Sequence, residues 1–282
     1  MTEARAIVRL GPRRGDGAQQ SDVHRARSAG PLRLLTPRRA GDAAWIVTSS
    51  LGGGLVDGDD VALDVQVDDG ATCVLASQAS TKVYRGDSKQ RTRVTIGDGA
   101  AAIVVPDPIV PFRDSVIVQS TTIAMHEHAS LVLCDAITAG RIAHGERWGA
   151  RSIDSRIEMT ASAIAGSRES SALEPSSSSN VLRSDTSAAS VHLRDRVLIE
   201  RPLPVEAIAT MIVLGPRVRR EARALLDDIA RRSIVERIAA SEFRDGAIVK
   251  LAGTITEVTS AIRLHLTPAC RALGEDPWAR KW

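Results

Sequence analysis

The sequence predicts a mainly β fold of stacked strands, with two α-helices in its C-terminal third. Three observations lead there. A strand–turn–strand pattern recurs three times between residues 61 and 138, the apolar positions of the three copies coincide, and helical periodicity with its own start signals appears only after residue 215.

The segment before Leu32 is rich in Arg, Gly and Gln, and residues 1–31 are read as a solvated, poorly ordered N-terminal arm. Residues 32–282 form a single domain. From Val61, the residues Val61, Leu63, Val65 and Val67 alternate with Ala62, Asp64, Gln66 and Asp68, the period of a half-buried strand. Asp69-Gly70 turns the chain into a second run, Ala71 to Ser77. The next copy places Val94 and Ile96 before the turn Gly97-Asp98-Gly99, then runs on from Ala100. The third places Ile123 and Met125 before His126-Glu127-His128, then runs on from Ala129.

The copies are 29 residues apart, so that Val65, Val94 and Ile123 coincide, as do Ala71, Ala100 and Ala129, and Leu75, Val104 and Leu133. An interval of this size suits stacked supersecondary units that cover one another's apolar faces. The alternative is an antiparallel sandwich with evenly spaced hairpins. Each unit ends on a polar or Pro-rich corner, at Ser77-Gln78, Pro106-Asp107 and Cys134-Asp135. An arginine follows each time, Arg85, Arg113 and Arg141, at intervals of 28. Stacking would set these groups in a column along one side; the plainer alternative is a set of surface ion pairs, each worth little.

Residues 161–190 are dominated by Ser and Ala, with four serines at 176–179, and read as a flexible loop. Alternation resumes from Val191 to Ile199, and Met211 to Leu214 is a short apolar run. Gly215-Pro216 opens the first helix, because Pro suits the first turn; Val218, Ala222, Leu225 and Ile229 share one face. Ile234 to Ala240 and Ala247 to Ala252 flank Arg244-Asp245-Gly246, a hairpin signal. Thr254 and Glu257 have the spacing of a capping box, ahead of Val258, Ile262, Leu266 and Ala269 on the buried side of the second helix. Pro268 is awkward inside a helix, so Thr267-Pro268 is read as the cap of a fresh short one.

Composition narrows the function classes. Seven aromatic residues in 282 require an aliphatic core. The net charge of +3 and a pI near 9.0 describe a mild Arg surplus rather than a basic tail. No run of about 18 apolar residues exists and no apolar stretch lies near Met1, so neither a membrane span nor a secretory signal is expected. Three widely spaced cysteines suit core thiols in a reducing cytoplasm better than a disulfide frame.

The stretch SSLGGGLVDGDD, from Ser49, invites a phosphate-loop reading, but Leu55-Val56 follow the glycines where Lys-Ser or Lys-Thr is required. Asp57, Asp59 and Asp60 lack the alternating ligands and terminal Glu of a calcium loop. A turn remains, with glycines for positive φ or close backbone approach. His126-x-His128 offers two metal ligands in a loop, which more often sit together incidentally. No G-x-S-x-G elbow is present. Asp135 and Glu146 have the residue types of a glycosidase acid/base pair, although few aromatics are available to stack on a sugar. A basic nucleic-acid-binding module is a further alternative.

Five motifs, LLTPRRAG (34–41), SSLGGGLVDGD (49–59), ASQASTKVYRG (76–86), PDPIVPFRDS (106–115) and TAGRIAHGERW (138–148), occur in this order. Together they resemble the UreD family of urease accessory proteins, called UreH in some species. The likeness continues more weakly through LRDRVLIE (193–200) and both helices. The resemblance implies a β-helicoid, solenoid-like fold and a cytoplasmic, non-enzymatic scaffold. Such a scaffold binds UreF, through which the GTPase UreG is recruited, and docks on the urease apoprotein in a heteromeric complex dimerised through its partners. It also implies no tightly bound cofactor, no nucleic acid and no membrane, with nickel passing through a polar tunnel. Carried over by motif, Asp59, Asp107, Asp135 and Glu146 are the expected transient nickel contacts. Gln78, Thr81, Lys82, Tyr84, Arg85, Arg113 and Arg141 are the expected tunnel or partner face.

Overall fold

The 29-residue interval is the distance along the chain from one strand to its neighbour in the sheet. The computed structural model describes residues 4–13, 20–37, 41–162, 191–231 and 237–279. The strands run β1 (Ala4–Pro12), β2 (Ser21–Ser28), β3 (Leu32–Leu35), β4 (Ala44–Ser50), β5 (Gly54–Leu55), β6 (Asp60–Val67), β7 (Thr72–Ser77), β8 (Thr81–Val83) and β9 (Gly86–Ile96). They continue as β10 (Ala101–Val105), β11 (Ile109–Pro111), β12 (Ser115–His126), β13 (Ser130–Thr138), β14 (Ser152–Ser162), β15 (Val191–Ile199) and β16 (Ala207–Leu214). Helix α1 (Arg219–Ala230), the hairpin β17 (Ile238–Phe243) and β18 (Gly246–Gly253), and helix α2 (Ile255–Ala272) complete the described chain.

One sheet has the order β15-β14-β12-β9-β6-β1-β2; the other runs β17-β18-β16-β13-β10-β7-β4-β3. The repeat sits where they face. β6, β9 and β12 pair in parallel, with Val65 beside Val94 and Val94 beside Ile123. β7, β10 and β13 do the same in the second sheet, with Leu75 beside Val104 and Val104 beside Leu133. Short third strands accompany the units; β5, β8 and β11 pair in parallel at an interval of 28, with Gly54 beside Lys82 and Thr81 beside Ile109. Parallel stacking therefore replaces the hairpin sandwich.

Three apolar layers explain the strand sequences. Between the sheets, Val65, Val94 and Ile123 meet Leu75, Val104 and Leu133. On the far side of the second sheet, Val74, Ile103, Val132 and Met211 meet Ala222, Leu225 and Ile229 of α1 and Val258, Ile262 and Leu266 of α2. Strands β7 and β10 are thus buried on both faces, which is why they read as unbroken apolar runs. A third cluster joins Val83, Ile109, Ile137 and Trp148 along the third side.

The described residues of the N-terminal arm include two strands of the first sheet. β1 lies parallel to β6, with Val8 beside Val65, and β2 folds back on it as an antiparallel neighbour. Ala6, Val8 and Leu10 are fully buried. Their period of two is masked in the sequence by the intervening Arg5 and Arg9, which pair outward with Asp64 and Asp68 at 2.8 and 3.0 Å. β4 also extends the repeat, because Ile46 pairs with Leu75 at the same interval of 29.

Two further expectations change. Cys134-Asp135 is no corner but the middle of β13, which runs on to Thr138. Pro268 does not start a new helix; α2 continues through it to Ala272, and Thr267 donates its hydroxyl to the Arg263 carbonyl at 2.6 Å. Both Pro268 and Leu264, whose carbonyl loses its amide partner, are exposed, so water can take the bond's place. The capping box is formed, Thr254 accepting from the Glu257 amide and Glu257 from the Thr254 amide. The serine-rich stretch falls almost wholly outside the described residues. Among the described residues, no helix is long and apolar enough to cross a membrane.

Candidate functional site

A half-buried acid in an apolar strand needs partners, and Asp135 finds them on the strands before and after its own, 16 and 20 residues away. Gln119 of β12 donates its amide to one carboxyl oxygen and Ser155 of β14 donates its hydroxyl to the other, both at 2.7 Å. Gln119 and Ser155 are in-register neighbours, so the parallel stack itself brings them together. Burial pushes the Asp135 carboxyl above its ordinary range, against the two hydrogen bonds that favour ionisation; nearby Asp195 adds to the rise and Lys250 opposes it. The result is a carboxyl that holds its proton more firmly than an exposed aspartate.

Asp135 lies in the wall between two cavities. The first, about 250 Å³, opens between the sheets and is lined on its polar side by Ser77, Gln78, Thr81, Asp107, Gln119 and Asp135. Two unit corners contribute to this lining, where Asp107 accepts the Ser77 hydroxyl at 2.9 Å and donates its own amide back to that oxygen at 2.7 Å. The second, about 420 Å³, is lined by Asp135, Thr210, Arg237, Lys250 and apolar residues of β16 to β18. Beside it Asp195 accepts from Thr210 at 3.2 Å and pairs with Lys250.

The other expected residues stand elsewhere. Asp59 closes its own turn by accepting the Val56 amide at 2.8 Å. In that glycine run Gly52 and Gly53 have φ of 84° and 75°, and a Cβ on Gly54 would meet the Lys82 carbonyl at 2.2 Å. The run is a turn followed by a close approach, as expected. Glu146 is gripped by both arms of Arg141 and accepts the Arg113 amide at 3.3 Å. Arg141 also lies 4.2 Å over the Phe112 ring, which Tyr84 meets edge-on. Hydrogen bonding to Arg141 lowers the Glu146 carboxyl below its ordinary range. It is therefore unsuited to donate a proton, and it lies outside the residues lining the Asp135 cavities. The glycosidase pairing loses its second member. Arg85 faces Asp114 at 3.9 Å, and both Arg85 and Lys82 are exposed. Of the three motif arginines, Arg141 holds Glu146 through its guanidinium and Arg113 through its backbone amide.

Sequence reasoning missed Gln119, Ser155, Asp195, Thr210 and Lys250. A signal existed for the first: Gln119 sits at an inward position of the alternation Ile117, Gln119, Thr121, Ile123, and is 6% exposed. The cysteines are excluded as ready ligands. All three are buried and free, and burial pushes their thiols up, which keeps them protonated.

Next to Ser155, Asp154 is clamped by Arg156 and Arg196. Partial burial raises this carboxyl, but the hydrogen bonds and charges of Arg196 and Arg156 outweigh it and hold it at about 2. Its contribution to stability is complete above the ordinary aspartate value of about 4 and disappears as pH falls from there through about 2. Urea denaturation across this window is expected to show an acid loss of stability that Asp154→Asn flattens.

Comparison with known proteins supplies the family. The sequence model of the family described as UreD urease accessory protein matches residues 3–282. A urease accessory protein UreD of Sorangium cellulosum is 38% identical over 274 residues, covering 94% of this chain and 81% of that protein. One from an Anaeromyxobacter species is 34% identical over 276 residues, covering 95% and 86%. Urease accessory protein D of Arabidopsis thaliana is 37% identical over 126 residues, covering 42% and 43%.

Proposed function

We propose that this chain, which belongs to the UreD family of urease accessory proteins, is a non-enzymatic, cytoplasmic scaffold that acts with UreF and UreG on apo-urease and passes nickel toward its active site. The family places the chain in urease maturation; the partners, the compartment and the passage of nickel are the proposal. We read the stacked parallel units as the family's β-helicoid.

One observation carries the nickel path: a carboxyl raised above its ordinary range, in the wall shared by two cavities. Nickel, the cargo, reaches the first cavity past Asp107 and Ser77. A dication beside Asp135 favours the ionised carboxylate, against the burial that disfavours it. Gln119 and Ser155 hold the carboxylate in place throughout. Oxygen donors bind a late divalent ion more weakly than imidazole or thiolate clusters, so the ion leaves again. The second cavity receives it, where the Lys250 ammonium is already neutralised by Asp195.

The nucleic-acid alternative has little support on the outer face of the first sheet. Arg5, Arg9, Arg91 and Arg93 there are paired with Asp64, Asp68 and Asp60.

The test is to co-express the cognate urease and its other accessory genes with and without this chain at limiting nickel. Urease activity and nickel per active site are expected to fall without it and return with it. Full activation in its absence would defeat the reading.

A further inference from the structure

The 29-residue register stacks the β9–β10 turn against the β12–β13 turn, and three metal-ligating side chains meet there. Asp98 Oδ1 lies 2.9 Å from His126 Nδ1 and 3.0 Å from His128 Nδ1. The three ligand atoms all fall within 4.8 Å of one another. None of the three residues lines either cavity beside Asp135.

The two distances from Asp98 suit coordination. An ion with bonds of about 2.1 Å places adjacent ligands roughly 3.0 Å apart in an octahedron and roughly 3.4 Å apart in a tetrahedron. The framework is held from both sides. The Asp98 amide donates to Asp69 Oδ1 at 2.8 Å, and the Asp98 carbonyl accepts the Gly70 amide at 2.8 Å. His126 is the last residue of β12, paired with Ser162 of β14, and the Glu127 amide donates to the Ser162 carbonyl at 3.0 Å. His126 is mostly covered, its side chain 15% exposed, whereas His128 and Asp98 are open to solvent at 65% and 56%. An ion would thus be anchored from within while keeping open positions for water.

We propose that Asp98, His126 and His128 form a surface site for one late first-row divalent cation, of the class of Ni²⁺, Cu²⁺ and Zn²⁺. Two imidazole nitrogens and one carboxylate oxygen favour this class over Mg²⁺ and Ca²⁺, which prefer all-oxygen ligand sets. The imidazoles bind in their neutral form, each with its remaining proton on Nε2. The site does not depend on the transit path through Asp135.

The full chain, purified without a polyhistidine tag, is titrated with Cu²⁺ and Ni²⁺ by calorimetry, and the Cu²⁺ sample is read by electron paramagnetic resonance. One ion with hyperfine structure from two imidazole nitrogens is expected, undisturbed by a large excess of Mg²⁺. His128→Ala, at an exposed position that leaves the fold intact, is expected to weaken that ion at least about tenfold and remove one nitrogen from the spectrum, whereas Asp135→Asn leaves both unchanged. Equal affinity and an unchanged spectrum in His128→Ala or in the His126→Ala, His128→Ala double variant would overturn the proposal, as would a wild-type spectrum without two imidazole nitrogens.

Discussion

Aspartate in place of Ile103 and aspartate in place of Val104 are both expected to prevent folding. The two residues are adjacent on β10 and point to opposite sides, yet both are buried, at 0% and 4% exposure. Ile103 belongs to the layer under the helices, and Val104 to the layer between the sheets. An unpaired carboxylate in either layer costs several kcal/mol, against a net stability of about 5–15 kcal/mol for a whole domain. Ile103→Ala, which only opens a cavity, is expected to cost about 2–5 kcal/mol. Soluble yield of the aspartate variants and urea denaturation of the alanine variant measure these effects. In a hairpin sandwich one face of this strand would be solvated and would tolerate aspartate. A stable, soluble Ile103→Asp or Val104→Asp chain would therefore contradict packing on both sides of β10.

Much of this architecture was legible in the sequence because parallel stacking copies a residue's environment at each interval. Val65, Val94 and Ile123 face the same layer, so they are apolar together, and the spacing appears without any structure. The same logic failed where the pattern was covered. β1 carries Arg5 and Arg9 between its buried residues, so a half-buried strand resembled a charged arm. In β4, Ala44 to Val47 are buried on both faces and show no alternation, which hid the fourth member of the row. Pro268 was misjudged for another reason: the exposed side of α2 tolerates the missing amide bond.

The site was legible one residue at a time. The motifs single out Asp135 as an acid at a unit corner, but not its partners, because Gln119 and Ser155 lie on β12 and β14 outside the quoted motifs. Only the lateral register between β12 and β14 joins them. Glu146 and Asp59 share Asp135's residue type and motif context, yet one is spent on Arg141 and the other on its own turn. Motif position gave no means of separating a carboxylate that faces a cavity from one that closes a loop.

Asp135→Asn is the variant that tests the proposed nickel path. It keeps the side-chain volume and a carbonyl oxygen to accept a hydrogen bond, while removing the ability to ionise. Assembly with UreF and apo-urease is expected to be unchanged, and nickel delivery to fall about tenfold, the loss typical of a disturbed metal ligand. Asp135→Ala would behave differently: Gln119 keeps its bond to the Ser155 oxygen at 3.2 Å, but the Ser155 hydroxyl loses its acceptor at a cost of about 1–3 kcal/mol, so stability and activation would fall together. Glu146→Gln, outside the cavities, is the control expected to retain delivery.

The most direct measurement is nickel per urease active site, with urease activity, after activation at limiting nickel by the assembled complex carrying Asp135→Asn. The account predicts an intact complex that delivers several-fold less nickel than the parent while Glu146→Gln matches it. Full nickel occupancy and full activity with Asp135→Asn at limiting nickel would contradict it.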